Sequence, residues 1–228
     1  KISGTLRSAA MEMRADGIAD LGEARFRDLA LDIRLLRPGI IGSNVSGTNV
    51  RGKALLNGAF AEPNVAYSAT ATRLAFGLTT FEDVTLSGEA QGAADRFLIP
   101  VTARARRVSG INQVAGGLLT KLRLNGDLAI AKGRLFSDNL KIRSDRINAT
   151  ALLVGDINKG FYTTALDGKV DGFQVNSVGL FNVVADVDLE TTLGKDYALV
   201  GTLKGRSTRL FSAGAQKFLG GQMFVDAV

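Results

Sequence analysis

Residues 121–154, KLRLNGDLAIAKGRLFSDNLKIRSDRINATALLV, decide how the whole chain is read. Leu122, Leu124, Gly126, Leu128 and Ile130 hold every second position, with Lys121, Arg123, Asn125, Asp127 and Ala129 between them. Alternation of period two puts the first set on one face of a strand and the second on the other, so one face is oily and the other mostly wet. Lys132-Gly133 supplies a turn, after which Leu140 and Ile142 alternate with Lys141 and Arg143. Ser144-Asp145 supplies the next, and Ile147, Ala149, Ala151 and Leu153 form a third alternating run. Three consecutive half-buried strands share one pattern.

Working outward, the same pattern recurs in both directions. Ile2, Gly4 and Leu6 open a first strand and Met11 and Met13 a second, which Asp16-Gly17 is expected to turn. Leu29, Leu31, Ile33 and Leu35 alternate until Pro38-Gly39 stops them. Val65 to Ala71, Leu74 to Leu78 and Val84 to Ala90 read as three further runs. Phe97, Ile99, Val101, Ala103 and Ala105 make a long strand, and Pro100 on its polar side lacks an N–H, which predicts an edge or a bulge. Tyr162 to Val170, then Phe173 with Val175, then Phe181, Val183, Ala185, Val187 and Leu189, then Leu199 and Leu203 continue the series. The period breaks at 111–120 and again at 212–219, where short helices are expected. About sixteen strands at ~4.8 Å each predict a mostly antiparallel sheet ~75 Å long.

An apolar-x-Gly element accompanies these strands, as in Leu56-Asn-Gly58, Leu86-Ser-Gly88, Leu124-Asn-Gly126 and Leu166-Asp-Gly168. Its spacing is irregular, which excludes a fixed-period solenoid. Each glycine shares the face of the apolar residue before it, and this implies either a sheet that curls around its oily side or a set of ordinary bulges.

Composition removes most chemistry. The 228 residues contain no Cys and no His, so disulfides, thiolate metal sites and the commonest general base are all absent. Asp186-x-Asp188-x-Glu190 places three carboxylates on one strand face, a pattern that suits a divalent cation but is more often simply solvated. Gly116-Gly117 and Gly220-Gly221 lack the spacing of a phosphate-binding loop, and the sequons at Asn44 and Asn148 carry little information. No enzyme, metal or cofactor is expected. The net charge of +6 comes from bases scattered through the polar faces, without a block. This argues against a nucleic-acid partner, leaves attraction to phospholipid headgroups open, and is met as well by a solvated outer face.

The phrase from Leu124-Asn-Gly126 through Leu128, Ile130, Gly133, Leu135, Asp138 and Leu140, followed by Ile142-Arg-Ser144 and the small apolar strand starting at Ala149, resembles the TamB and AsmA-like proteins of the Gram-negative envelope. The cadence of strand, Lys-Gly, strand, Asp-Asn-Leu, and the onward Leu166-Asp-Gly168 strand, look most like the TamB branch. The resemblance implies an all-β fold, a long curved antiparallel sheet folded over an apolar groove, like a taco or an elongated jelly roll. It further implies that residues 1–228 are one elongated groove domain from a longer periplasmic protein anchored in the inner membrane, with neighbouring segments of the same chain continuing the groove. The partner it implies is phospholipid in transit between the two membranes, with no nucleic acid. For the TamB branch it adds the outer-membrane barrel protein TamA.

The residues expected to line such a groove are Leu29, Leu31, Ile33, Phe97, Ile99, Val101, Leu122, Leu124, Leu128, Ile130, Phe181, Val183, Val187, Leu189, Leu199 and Leu203. Alternation alone favours a sealed core, because most apolar strand faces are core, and the resemblance is what favours the groove. Two other readings compete. A periplasmic scaffold would offer its strand edges to outer-membrane client proteins by β-augmentation. A transmembrane barrel shares the alternation, but no Trp, three Tyr and irregular strand lengths oppose it.

Overall fold

The computed structural model describes residues 1–40, 44–93, 95–110, 118–156, 161–175, 177–192, 196–218 and 222–227; at 118, 161–162, 189–192, 196–199, 215 and 227 it describes the backbone alone. The chain forms β1 (Ile2–Arg7), β2 (Met11–Asp20), β3 (Arg25–Leu35), β4 (Val45–Thr48), β5 (Val50–Ala59), β6 (Pro63–Phe76), β7 (Thr79–Gly92) and β8 (Phe97–Ser109). Then come β9 (Leu118–Ala131), β10 (Arg134–Arg143), β11 (Ile147–Asp156), β12 (Phe161–Val175), β13 (Gly179–Thr192), β14 (Asp196–Leu210) and β15 (Phe224–Ala227). Pro38–Ile40 is a single 3-10 turn and α1 (Ala213–Phe218) a short helix.

All fifteen strands belong to one sheet, and every neighbouring pair is antiparallel in sequence order, except that β4 leaves the path to pair with the far end of β6. Fourteen strands in line, thirteen steps of ~4.8 Å, give a sheet ~60 Å long. It is open. Its first and last strands do not pair with each other, and among the described residues no second sheet lies on either face. The accessible surface, 14441 Å², far exceeds the roughly 9,900 Å² of a compact 24.0 kDa chain.

The strands differ from the sequence reading wherever the period breaks inside one of them. Asp16-Gly17 does not turn the chain: β2 runs through it to Asp20, and the turn falls at Leu21 to Ala24. A side chain at Gly17 would run into the Asp28 carbonyl oxygen, so this glycine serves a close approach of β3. There β3 bulges at Asp28 (φ 46°), whose N–H donates to Asn57 Oδ1 at 2.7 Å. The runs at Val65 and Leu74 are one strand, β6, and those at Tyr162 and Phe173 are one strand, β12. Of the two expected helices, α1 occupies the second stretch; in the first, Leu118 to Thr120 open β9 and 111–117 lie outside the described residues.

The breaks line up. Asn49 (φ 54°), Asp83 (φ 50°) and Lys121 (φ 55°) are all left-handed. By the register of β5 to β9 they fall in one transverse row with Thr72 and Arg106. At this crease residues three apart face inward together, so Ala105 and Val108 are both buried and pack with Leu119, Phe81, Val84, Leu122 and Ile147. Arg106 bridges Asp83 and Glu82 across it, and Asn49 Nδ2 donates to Thr72 Oγ1 at 3.2 Å. A second buried cluster, Phe181, Val183 and Leu210, sits where β12 and β14 bulge. The register is the same on both sides of the crease row, so the crease is a line of left-handed residues that turns side chains over without adding a residue to any strand.

Candidate functional site: the apolar face

Register carries the oily positions of each strand onto one face. Leu6, Met13, Ile33, Gly52, Ala69, Leu86 and Ala103 are successive cross-strand partners from β1 to β8. The row continues through Leu124, Ile142, Ala149, Gly168, Ala185, Leu203 and Ala227 to β15. Fourteen strands contribute fourteen apolar or glycine positions with no polar side chain among them. Alongside it Leu31, Ala54, Tyr67 and Gly88 are partners, and beyond the central bulge so are Ala151, Leu166, Val187 and Gly201.

All sixteen residues expected to line a groove fall on this face by register or strand parity. Leu29, Val101, Phe181, Val183 and Val187 are buried. Leu31, Ile33, Phe97, Ile99, Leu122, Leu124, Leu128, Ile130 and Leu203 are half-buried, and the side chains of Leu189 and Leu199 lie outside the described residues. Half-burial comes from same-face neighbours on adjacent strands, and among the described residues no second sheet lies over them. Lateral packing lets an apolar face persist beside water; a sealed core would bury these side chains completely.

Two positions show how the face stays continuous. A side chain at Gly168 would run into Ala149 Cβ, so only glycine lets β11 and β12 close at that point of the row. At Gly88 the ring of Tyr67 fills the missing side chain's place, and the Tyr67 hydroxyl donates to the Pro100 carbonyl at 2.6 Å. Pro100 sits in a central strand, where the ladder between β7 and β8 is interrupted from Ser87 to Gln91, as a residue without an N–H requires. The Tyr67 phenol is thereby satisfied, and burial holds it above the ordinary tyrosine pKa. No buried side-chain polar atom among the described residues lacks a partner.

Sequence reasoning missed the device that pins β10. Asn139 Oδ1 accepts from the Asp127 N–H at 2.8 Å, and Asn139 Nδ2 donates to Asp127 Oδ2 at 2.8 Å. The Ser137 hydroxyl donates to the Asp127 carbonyl at 2.6 Å. This bulge returns Leu140 and Ile142 to the oily side after Ser137.

On the outer face, Asp186 and Asp188 are exposed. Among the described residues no group of three His, Cys, Asp or Glu is placed to hold a metal ion, and no helix is long and apolar enough to cross a membrane. The bases that are scattered in sequence are gathered by register. Arg7, Glu12, Arg34, Arg51, Thr70, Thr85 and Arg104 are successive partners, followed by Arg123, Arg143, Asn148, Lys169, Val184, Lys204 and Asp226. That row holds eight bases and two acids, so it carries the whole chain's net +6, and the other 20 bases and 20 acids cancel.

In comparisons with known proteins, no family model matches this chain, and neither a curated protein nor a solved structure matches it.

Proposed function

We propose that the apolar face is a lipid-binding groove that shields phospholipid acyl chains while they pass along the sheet, without chemistry. The observation that carries this reading is the unbroken row of fourteen apolar or glycine positions along one face of an open sheet ~60 Å long. An acyl chain in water costs about 0.8 kcal/mol per CH2, so a continuous oily track lowers a barrier of well over ~10 kcal/mol for a whole chain. A single charged interruption would restore much of it, and the row has none. The resemblance to the TamB and AsmA-like proteins supports the same reading. It would place the chain in the periplasm of a Gram-negative cell, within a protein anchored at the inner membrane and working between the two membranes.

The test is native mass spectrometry and lipid extraction of the purified chain beside Leu124→Asp with Leu203→Asp. Phospholipid that accompanies the parent and is lost from a folded variant supports the groove. A lipid-free parent overturns it.

One observation favours a second reading. β1 is exposed along its whole length, and β15 pairs β14 only from Leu203 to Arg206. Both ends of the sheet offer unpaired strand backbone, which suits added strands, either from neighbouring segments of a longer chain or from client proteins such as those served by TamA. Assembly of a client that survives Leu124→Asp but fails when a proline is placed in β1 would favour this scaffold reading.

A further inference from the structure

We infer that one long edge of the sheet docks on an anionic phospholipid bilayer, with the basic register row meeting headgroup phosphates and apolar turn residues entering the interface. The charge is segregated across the outer face. Beside the basic row lies a row with Arg14, Lys53 and Lys141 balanced by Asp32, Asp167 and Asp186. The next row away from the crease holds Asp16, Glu89, Asp127 and Asp188 and no base. Arg34 faces Arg51 directly, and Arg104, Arg123 and Arg143 stand side by side on three adjacent strands. Like charges directly opposite one another destabilise a sheet, and none of these five has an ion-pair partner among the described residues. Such a row is relieved by an external array of negative charge.

A second, independent feature selects a bilayer over a soluble polyanion. Where it crosses β3, β5 and β10 the basic row lies at the long edge formed by the end of β3, the β6–β7 turn and the end of β14, and where it crosses β7 to β9 it lies about mid-strand. That edge carries Leu78 at 90% exposure, Phe218 at 89% and Ile40 at 57%. Projecting Leu and Phe beside a basic face are what an interfacial membrane contact uses. The row itself contains no aromatic side chain to stack on bases, which removes the usual means of gripping single-stranded nucleic acid. This inference does not rest on the groove.

The test is binding of the whole chain to vesicles of phosphatidylcholine with and without phosphatidylglycerol, at low and high salt. The parent binds only the anionic vesicles, and salt weakens it. Near an anionic surface each base contributes about fivefold in affinity, so Arg104→Gln, Arg123→Gln and Arg143→Gln together reduce binding on the order of 100-fold. Arg14→Gln, Lys53→Gln and Lys141→Gln remove the same charge from the balanced row and change it by less than about tenfold. Leu78→Ser with Phe218→Ser loses vesicle binding but keeps binding to heparin. Circular dichroism shows the Arg triple folded, since it removes repulsion. Equal losses from the two triples would reduce the effect to net charge and overturn the inference. So would full vesicle binding by Leu78→Ser with Phe218→Ser, which would make a soluble polyanion the partner, and so would indifference to phosphatidylglycerol. Leu124→Asp keeps vesicle binding even if lipid extraction fails, so the two readings stand or fall separately.

Discussion

Leu124→Asp places a carboxylate in the middle of the oily row, and the cost separates an open face from a sealed core. Leu124 is half-buried, flanked by Ala103 on β8 and Ile142 on β10, with no second sheet over it among the described residues. Full burial of a leucine side chain is worth about 1.5–3 kcal/mol, so losing a partial burial costs about 1–2 kcal/mol. The new carboxylate keeps its water, because the face is open. Phe181→Asp is the internal standard: Phe181 is 1% exposed, and losing it costs about 3–5 kcal/mol before the charge is counted. Measured by urea unfolding, Leu124→Asp should lower stability by about 1–2 kcal/mol, whereas Phe181→Asp should approach or exceed the ~5 kcal/mol at which marginal domains unfold. A loss above about 3 kcal/mol for Leu124→Asp would mean a buried, unpaired charge, and would refute the open face.

Three further outcomes follow from the same geometry. Tyr67→Phe leaves the Pro100 carbonyl without its donor and costs about 1 kcal/mol in thermal unfolding. Because the folded-state pKa of Tyr67 is raised, the parent holds its stability up to the ordinary tyrosine pKa and loses it above, and Tyr67→Phe flattens that alkaline decline. Asn139→Ala removes both contacts to Asp127 and frees the β10 bulge, which costs about 1–3 kcal/mol and appears as faster hydrogen exchange in β10. Gly168→Val forces a side chain against Ala149 and costs about 1–3 kcal/mol, with the loss reported in the same unfolding assay.

The faces of individual strands were legible in the sequence because a period of two is a local property: Leu124 and Leu128 on one side, Arg123 and Asp127 on the other. Where the period broke, the sequence could not distinguish a turn from a bulge. Leu74 and Phe173 read as the starts of new strands, but β6 and β12 continue through them: a bulge precedes Phe173, and Leu74 lies past the crease, beside the left-handed Asp83 of β7, with the ladder unbroken. Asp16-Gly17 has the composition of a turn and serves instead to let β3 approach. What was not legible at all is anything that runs across the strands. Arg104, Arg123 and Arg143 are far apart in the chain and look scattered, and only register makes them neighbours. The same holds for the unbroken apolar row, most of whose members were visible singly, Gly52 and Ala227 apart, but whose continuity was not.

The central claim is that acyl chains travel on the inner face, and crosslinking from the chain itself tests it most directly. A phospholipid carrying a photoreactive group in its acyl chain, loaded onto the protein and irradiated, should leave adducts mapped by mass spectrometry at inner positions such as Leu86, Leu124, Ile142 and Leu203. Their outward-facing neighbours Thr85, Arg123, Arg143 and Lys204 should remain unmodified. Adducts confined to the outer face, or none on a protein that holds lipid, would contradict the account.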